Sequence, residues 1–212
     1  MLYAVSMDYK QRYKKLAEKI DILCNDLIAA QRDFIKKLRT ISFAANFYES
    51  IVGMTDLNML LYTTGKLIRD EIAGVKVSFF LRGRENFEPP RLVSGLESDQ
   101  PITLEERGLE NCFSPELVDN ICKSNRVCTL NDMFAMGLHP DQSGLSVLKN
   151  ISVVTIPLGR FGSSQGFILI YRRSGISDPD LVGTDEINNI SAVIPGLSRA
   201  LRACQTIPQS AD

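Results

Sequence analysis

Two stretches of sequence decide the fold: SVVTIPLG, residues 152–159, and QGFILIYRR, residues 165–173. Both are rich in β-branched and aromatic residues, which favour strands. The segment RFGSSQG, residues 160–166, joins them and has the glycines and serines of a tight turn. The pattern therefore predicts an antiparallel hairpin.

A second strand pair is predicted upstream of this hairpin. The segment VKVSFFLR, residues 75–82, is strand-like, and PRLVSGL, residues 90–96, is a plausible partner across a hairpin connection. Because strand side chains alternate, Ser78 and Phe80 share one face of the first strand, and its other apolar residues share the opposite face. The segment RVCTLND, residues 126–132, predicts a further short strand.

Three helices are predicted around these strands. Thr55 is a candidate N-cap for a helix that runs to Gly74. Ser114, followed by a proline, is a candidate N-cap for a short helix that ends near residue 125. Residues 184–204 carry an apolar stripe at helical spacing and predict a closing helix, with Pro195 as a kink site. Residues 133–150 mix glycine, proline and apolar residues and are expected to form a loop with a helical turn or two.

The N-terminal region predicts one long helix. From Tyr9 to Phe34, apolar residues recur in alternating steps of four and three, and after a stutter the seam continues to Val52. A seam this narrow favours a parallel two-helix contact in a homodimer, so residues 1–53 are expected to be a dimerisation helix, 54–204 a domain and 205–212 a tail. The dimerisation residues are Leu16, Ile20, Leu23, Leu27, Phe34, Leu38 and Ile41.

Composition narrows the classes of function. The chain of 212 residues is 44% hydrophobic and 23% charged with a formal net charge of -1, so we expect no nucleic-acid partner. No run approaches the roughly 20 apolar residues of a membrane span, so we expect no membrane partner and a cytoplasmic location. The five cysteines lack CxxC spacing and there is a single histidine, so no metal site and no catalytic residue is predicted.

The predicted order of elements resembles the GAF family from Met54 to Cys204. The resemblance rests on DLNMLLYTTGKLIRDEIAGVKVSFFL, on ELVDNICKSNRVCTLND, and on the strand ending in Ile156-Pro157-Leu158 that QGFILIY follows. It implies an α+β fold, related to the PAS class, with a central antiparallel sheet flanked by helices and the long helix in front. It also implies a small-ligand pocket on the sheet face opposite the dimer and closing helices, covered by residues 133–150. A PAS domain is the alternative fold.

The resemblance also suggests ligand-binding residues. Ser78 lies where cyclic-nucleotide-binding GAF domains have a strand serine facing the base, although their Asn-Lys-x-Phe motif is missing here, and His139 could ligate haem. Bilin-binding relatives attach the chromophore to a cysteine followed by histidine, a pair that this chain lacks. A cyclic nucleotide is thus not excluded, and the cofactor is left unknown. The expected ligand-binding residues are Ser78, Phe80, Asn131, Asp132, Met133, Phe134, His139 and Thr155.

Three functional hypotheses follow. The first is a non-enzymatic sensory or regulatory module, of cyclic-nucleotide or two-component type, in which a small effector or partner protein acts through the dimer helix. The second is a structural or adaptor dimer whose pocket is filled by Phe80, Met133 and Phe134. The third is a thiol-based redox enzyme or sensor that uses Cys128 or Cys112. Asn131 and Asp132 also have a simpler explanation, as capping residues of the following turn.

Overall fold

The computed structural model describes residues 2–82, 91–94, 108–109, 111–139, 148, 151–160, 163–173 and 182–206. In chain order the elements are α1 (Leu2–Ile51), α2 (Leu57–Glu71), β1 (Lys76–Leu81), β2 (Arg91–Ser94), α3 (Pro115–Ser124), β3 (Cys128–Thr129), α4 (Leu130–Ala135), β4 (Ile151–Arg160), β5 (Ser163–Arg173) and α5 (Thr184–Thr206). The strands form one antiparallel sheet in the order β2-β1-β5-β4-β3. The α+β class predicted from the sequence is confirmed.

The β4–β5 hairpin is the longest strand pair among the described residues. Its ladder pairs Ile151 with Arg173 at one end and Arg160 with Ser163 at the other, with a bulge between Leu158 and Gly159. Gly166 is required where β5 passes β1: its φ is +132°, and a Cβ there would overlap the backbone oxygen of Phe80. The predicted hairpin is confirmed, but its turn is shorter than the predicted residues 160–166, because Arg160 lies in β4 and β5 already begins at Ser163.

The sheet separates two apolar clusters. On one face, the last turns of α1 pack with α2 and α5 against alternate residues of β1, β4 and β5, including Val77, Phe79 and Ile168. On the other face, α3 and α4 pack over Phe80 and Phe167, together with the described residues between β2 and α3. Strand β1 is covered on both sides, so its residues from Val77 to Leu81 are all buried and alternate between the two faces.

The chain divides into two compact units, Met1–Ser42 and Phe43–Asp212. The second unit begins eleven residues before the predicted boundary at 54, because Phe43, Phe47 and Ile51 in the last turns of α1 are buried in its core. In the first unit, the side chains described from position 12 onward are largely exposed. That set includes all seven predicted dimerisation residues, which are between 46% and 69% exposed.

The helix starts follow local hydrogen bonds. The N-cap of α2 is Asp56 rather than Thr55, and its carboxylate accepts the amide N–H of Met59 at 2.6 Å. Ser114 caps α3 as predicted. The expected strand at residues 126–132 contains only Cys128 and Thr129, because α4 starts at Leu130. No helix in the described part of the chain is long and apolar enough to cross a membrane.

Candidate functional site

A row of four paired residues, two of which carry hydroxyls, crosses the sheet on the face that α3 and α4 cover. Ser78 of β1 pairs with Leu169 of β5, which pairs with Thr155 of β4, which in turn pairs with Cys128 of β3. Directly paired residues on neighbouring strands point to the same side, so the four lie side by side on one face. All four are buried.

The hydroxyl of Ser78 is the least satisfied polar group in this row. Ser78 is 1% exposed, and its Oγ has no hydrogen-bond partner among the residues that the structure describes. Leaving such a group unbonded in the interior costs about 1–3 kcal/mol, so the Ser78 hydroxyl is a candidate to bond a group outside the described residues. Thr155 is only weakly bonded, since its Oγ1 donates to the carbonyl of Cys128 at 3.5 Å.

Three phenylalanines lie beside this row. Phe80 is two residues after Ser78 and therefore on the same face; its ring stacks on Phe167 with centroids 4.7 Å apart and lies 5.1 Å from the ring of Phe113. All three are buried. Together they form an aromatic part of the buried apolar cluster on this face.

Hydrogen bonds between Thr129 and Asp132 stabilise the start of helix α4. The amide N–H and the hydroxyl of Thr129 donate to the Asp132 carboxylate at 2.9 and 2.7 Å, and the amide of Asp132 donates back to the Thr129 hydroxyl. These bonds form a capping box and lower the pKa of Asp132, an effect that nearby Arg126 reinforces at 3.3 Å. Asp132 thus has the capping role that was the simpler explanation for it.

Apart from the half-buried Asp132, the predicted ligand-binding residues separate into two groups. Ser78, Phe80, Met133 and Thr155 are buried, with Phe80 and Met133 in the apolar cluster of this face and Ser78 and Thr155 in the row beside it. Asn131, Phe134 and His139 are exposed to solvent. Phe134, at 41% exposure, therefore does not fill the face as the adaptor hypothesis expected. Most of the expected cover, residues 140–147 and 149–150, lies outside the described residues.

Sequence reasoning missed Phe113 and Phe167 as members of this face. The signal was present for Phe167, because it pairs with Phe80 in the β1–β5 ladder and so shares its face. Phe113 precedes the N-cap of α3, and only the folded chain brings its ring next to Phe80. The sequence suggests Cys128 as a nucleophile but does not show that it lies in the same row as Ser78 and Thr155. That position depends on the short pairing of β3 with β4.

The described charges and thiols at this face are already engaged. Arg82 donates to the Asp119 carboxylate at 3.0 Å, and Lys123 pairs with the same carboxylate. Burial raises the pKa of the Cys122 thiol, against the opposing effects of a bond to Ser164 and the charge of Arg82. Within the described ranges, no group of three potential metal ligands is present.

A separate open groove lies at the β3 end of the sheet. Its volume is about 320 Å³, and it is lined by Asn125, Arg126, Val127, Ile156, Pro157, Gly159, Ser191 and Ile194. None of the predicted ligand-binding residues lines it. Ile156 and Ile194 belong to the cluster under α5, so this groove opens on the sheet face opposite Ser78.

Comparison with known proteins agrees with this architecture. No protein-family model matches the sequence, and no curated protein matches it. Among solved structures, the chain is similar to the GAF domain of a phosphoenolpyruvate-protein phosphotransferase from Acinetobacter, at 13% identity and a TM-score of 0.51, over 77% of this chain and 93% of that one. It is also similar to the GAF domain of the cyanobacteriochrome TePixJ, at 17% identity and a TM-score of 0.50, over 74% of this chain and 96% of that one.

The geometry and the comparisons lead to the same fold. An antiparallel sheet with the last turns of α1, α2 and α5 on one face and short helices on the other defines an α+β domain. The fold of this chain is the GAF fold, as the resemblance in its sequence implied.

Proposed function

We propose that this chain is a non-enzymatic regulatory GAF module that works as a homodimer, in which a small effector bound on the Ser78 face changes how the two α1 helices pair. The observation that carries the proposal is the buried Ser78 hydroxyl, which has no partner in the described part of the chain. An effector that supplies the missing hydrogen bond stabilises the effector-bound state relative to the free one.

The exposed seam of α1 supports the homodimer. Leu23 and Leu27 are about two thirds exposed, and the other five dimerisation residues are at least 46% exposed. A second copy of the same helix would bury all seven on each chain, since a two-fold axis presents identical seams to each other. Two identical domains that lie side by side about this axis favour the parallel arrangement.

Helix α1 also offers a route for the signal. It runs without interruption from Leu2 to Ile51, and its last turns contribute Phe43, Phe47 and Ile51 to the domain core. The same core contains Val77 and Phe79 of β1, the two residues that flank Ser78. A shift of β1 caused by an effector at Ser78 would therefore reach α1 through direct side-chain packing.

The cysteines favour a binding role over a thiol enzyme in the cytoplasm. The Cys112 thiol donates to the carbonyl of Gly108 at 3.2 Å, and the Cys128 thiol donates to that of Arg126 at 3.4 Å. Both residues are buried, which limits the access that a redox nucleophile needs to its substrate. All five cysteines are free thiols, the state that a reducing cytoplasm maintains.

The adaptor hypothesis is the second candidate because one observation favours it. Phe80 and Met133 are both buried in the cluster on the Ser78 face, as side chains that fill a former pocket would be. An adaptor of this kind would dimerise through α1 in the same way but bind no effector. Effector binding therefore distinguishes the two.

Native mass spectrometry of the protein purified from its own cells tests the proposal. We expect dimers that carry a small molecule, and we expect Ser78→Leu to abolish this binding while the circular dichroism spectrum stays that of the folded protein. Ser78→Ala keeps the space around the position open and serves as the milder variant. The adaptor hypothesis predicts dimers without any bound compound, which also bind neither cyclic AMP nor cyclic GMP. Under that hypothesis, neither substitution at Ser78 changes the mass spectrum of the dimer beyond the mass of the substitution itself.

A further inference from the structure

We infer that the open groove at the β3 end of the sheet binds a small amphipathic carboxylate, a compound with an apolar body and one carboxylate group. The groove opens on the sheet face opposite Ser78, so this site is separate from the proposed effector site. Three features support it: the way the groove is formed, its apolar floor, and the charge at its rim.

The groove exists because β3 covers only a small part of β4. Strand β4 has ten residues, and β3 pairs with two of them, Val154 and Thr155. Just before β3 the chain turns at Asn125, whose φ of 47° lies in the left-handed region. The edge of β4 at residues 156–159 is therefore not paired with β3, and it borders the groove beside α5.

Pro157 favours a small molecule over a peptide strand at this edge. Proline has no amide hydrogen, and inside a sheet it is tolerated where its nitrogen faces an unpaired edge. Because Pro157 already pairs with Phe167 of β5 on its other side, its nitrogen belongs on the groove side. A peptide added as a further strand would lack a ladder hydrogen bond there, so side-chain contacts have to hold the occupant.

The floor of the groove is apolar. Ile156 and Ile194 are 1% and 8% exposed, and the half-buried Val127 and Pro157 flank them. The volume of about 320 Å³ is near the lower end of the range of roughly 300–1,000 Å³ that is usual for small-molecule sites. A short apolar chain or ring therefore gains most of its binding energy by leaving water for this floor.

The rim of the groove carries a positive charge. Arg126 is the one charged residue among the described residues that line it, and its side chain is 62% exposed. Its Nη2 donates to Asp132 at 3.3 Å, but a guanidinium has five N–H donors in a geometry that suits carboxylates. Asp132 is also held by Thr129, so it does not depend on Arg126 alone. A carboxylate at the rim meets Arg126 without being buried.

The test is isothermal titration of the purified full chain with hexanoate, 1-hexanol and hexylamine, which share one apolar body and differ in charge. We expect hexanoate to bind most tightly. Arg126→Met should weaken its binding about threefold to fivefold, the effect of one exposed charge pair, and should leave 1-hexanol unaffected. Lys123→Met is the matched control, because Lys123 is also an exposed basic residue paired with a carboxylate but is not among the described residues that line the groove.

Two further variants test the location. Ser191 lines the groove from α5, so the ring of Ser191→Phe should occupy the groove and abolish hexanoate binding, while the circular dichroism spectrum stays that of the folded protein. Ser78→Ala should leave hexanoate binding unchanged. Loss of binding in Ser78→Ala would instead place the compound on the Ser78 face, which would overturn this inference and support the proposed function.

Other results would also overturn the inference. Equal affinities for the three compounds would contradict the carboxylate class. Hexanoate binding that Arg126→Met and Lys123→Met weaken equally, or that persists in a folded Ser191→Phe variant, would contradict the assignment to this groove. No binding at millimolar hexanoate would contradict the site itself, and native mass spectrometry would still decide whether the purified dimer holds an effector at Ser78.

Discussion

Replacing Leu23 and Leu27 together by glutamate should convert the proposed homodimer into a monomer. The two leucines are 66% and 69% exposed. Full burial of a leucine is worth about 1.5–3 kcal/mol, so pairing can gain about 1–2 kcal/mol from each. A dimer contains four such side chains, so the substitution removes about 4–8 kcal/mol, equivalent to a factor of about 10³–10⁶ in the dissociation constant. Burial of the introduced charges adds to this loss.

Sedimentation equilibrium of the wild type and the variant at tens of micromolar measures the effect. The matched control is Ile22→Glu combined with Ala29→Glu, since these residues are also exposed but lie on the side of α1 away from the seam. We expect the control to remain dimeric and all three proteins to give the same circular dichroism signal from the folded domain. A monomeric wild type, or a seam variant that dimerises as tightly as the control, would refute the reasoning.

Three further predictions concern the domain and α1. Gly196→Ala should lower the free energy of unfolding in urea by about 1–3 kcal/mol, because the new Cβ would meet the Tyr48 ring at 2.1 Å. In a protein that already carries Tyr48→Ala, the same Gly196→Ala substitution should cost little further stability. Asp132→Asn should remove a component of stability that the wild type has above the usual aspartate pKa and loses as pH falls through the lowered folded pKa, measured as melting temperature against pH. Iodoacetamide should label one cysteine of the native protein, Cys24, because the other four are buried. Mass spectrometry counts the labels, and rapid labelling of a second cysteine would contradict this prediction.

The sheet was largely predictable because its strands carry strong local signals. The segments around β4 and β5 combine β-branched residues with a glycine-rich turn, and the observed ladder runs through both. The alternation in β1 also placed Ser78 and Phe80 on the correct common face, since the period of two is fixed by backbone geometry. Such signals depend only on neighbours in sequence.

The predictions that differed from the structure involved competing local or tertiary effects. Thr129 and Asp132 form a capping box that starts a helix inside the expected strand, and this T-x-x-D signal was open to recognition in the sequence. The end of α1 was harder, because Phe43, Phe47 and Ile51 form a stripe beside the seam that is buried only by the domain. Val52, which the seam included, is 79% exposed.

The candidate site was predictable only in part. The strand residues Ser78 and Thr155 followed from the fold, since register and alternation determine their face. The residues after β3 were not fixed in this way, because a helix presents its side chains in several directions: Met133 is buried, whereas Asn131 and Phe134 are exposed. The unpaired state of the Ser78 hydroxyl depends on every neighbour of that atom and required the structure.

The central claim is that an effector at Ser78 changes the pairing of α1, and Cys24 allows a direct measurement of it. Cys24 is exposed on α1 while the other cysteines are buried, so nitroxide labels can be placed there on the unaltered chain. Double electron–electron resonance then reports the distance between the two labels of a dimer. We predict that a compound with Ser78-dependent binding shifts this distance distribution in the wild type and leaves it unchanged in Ser78→Ala. An identical distribution with and without saturating compound in the wild type would contradict the claim.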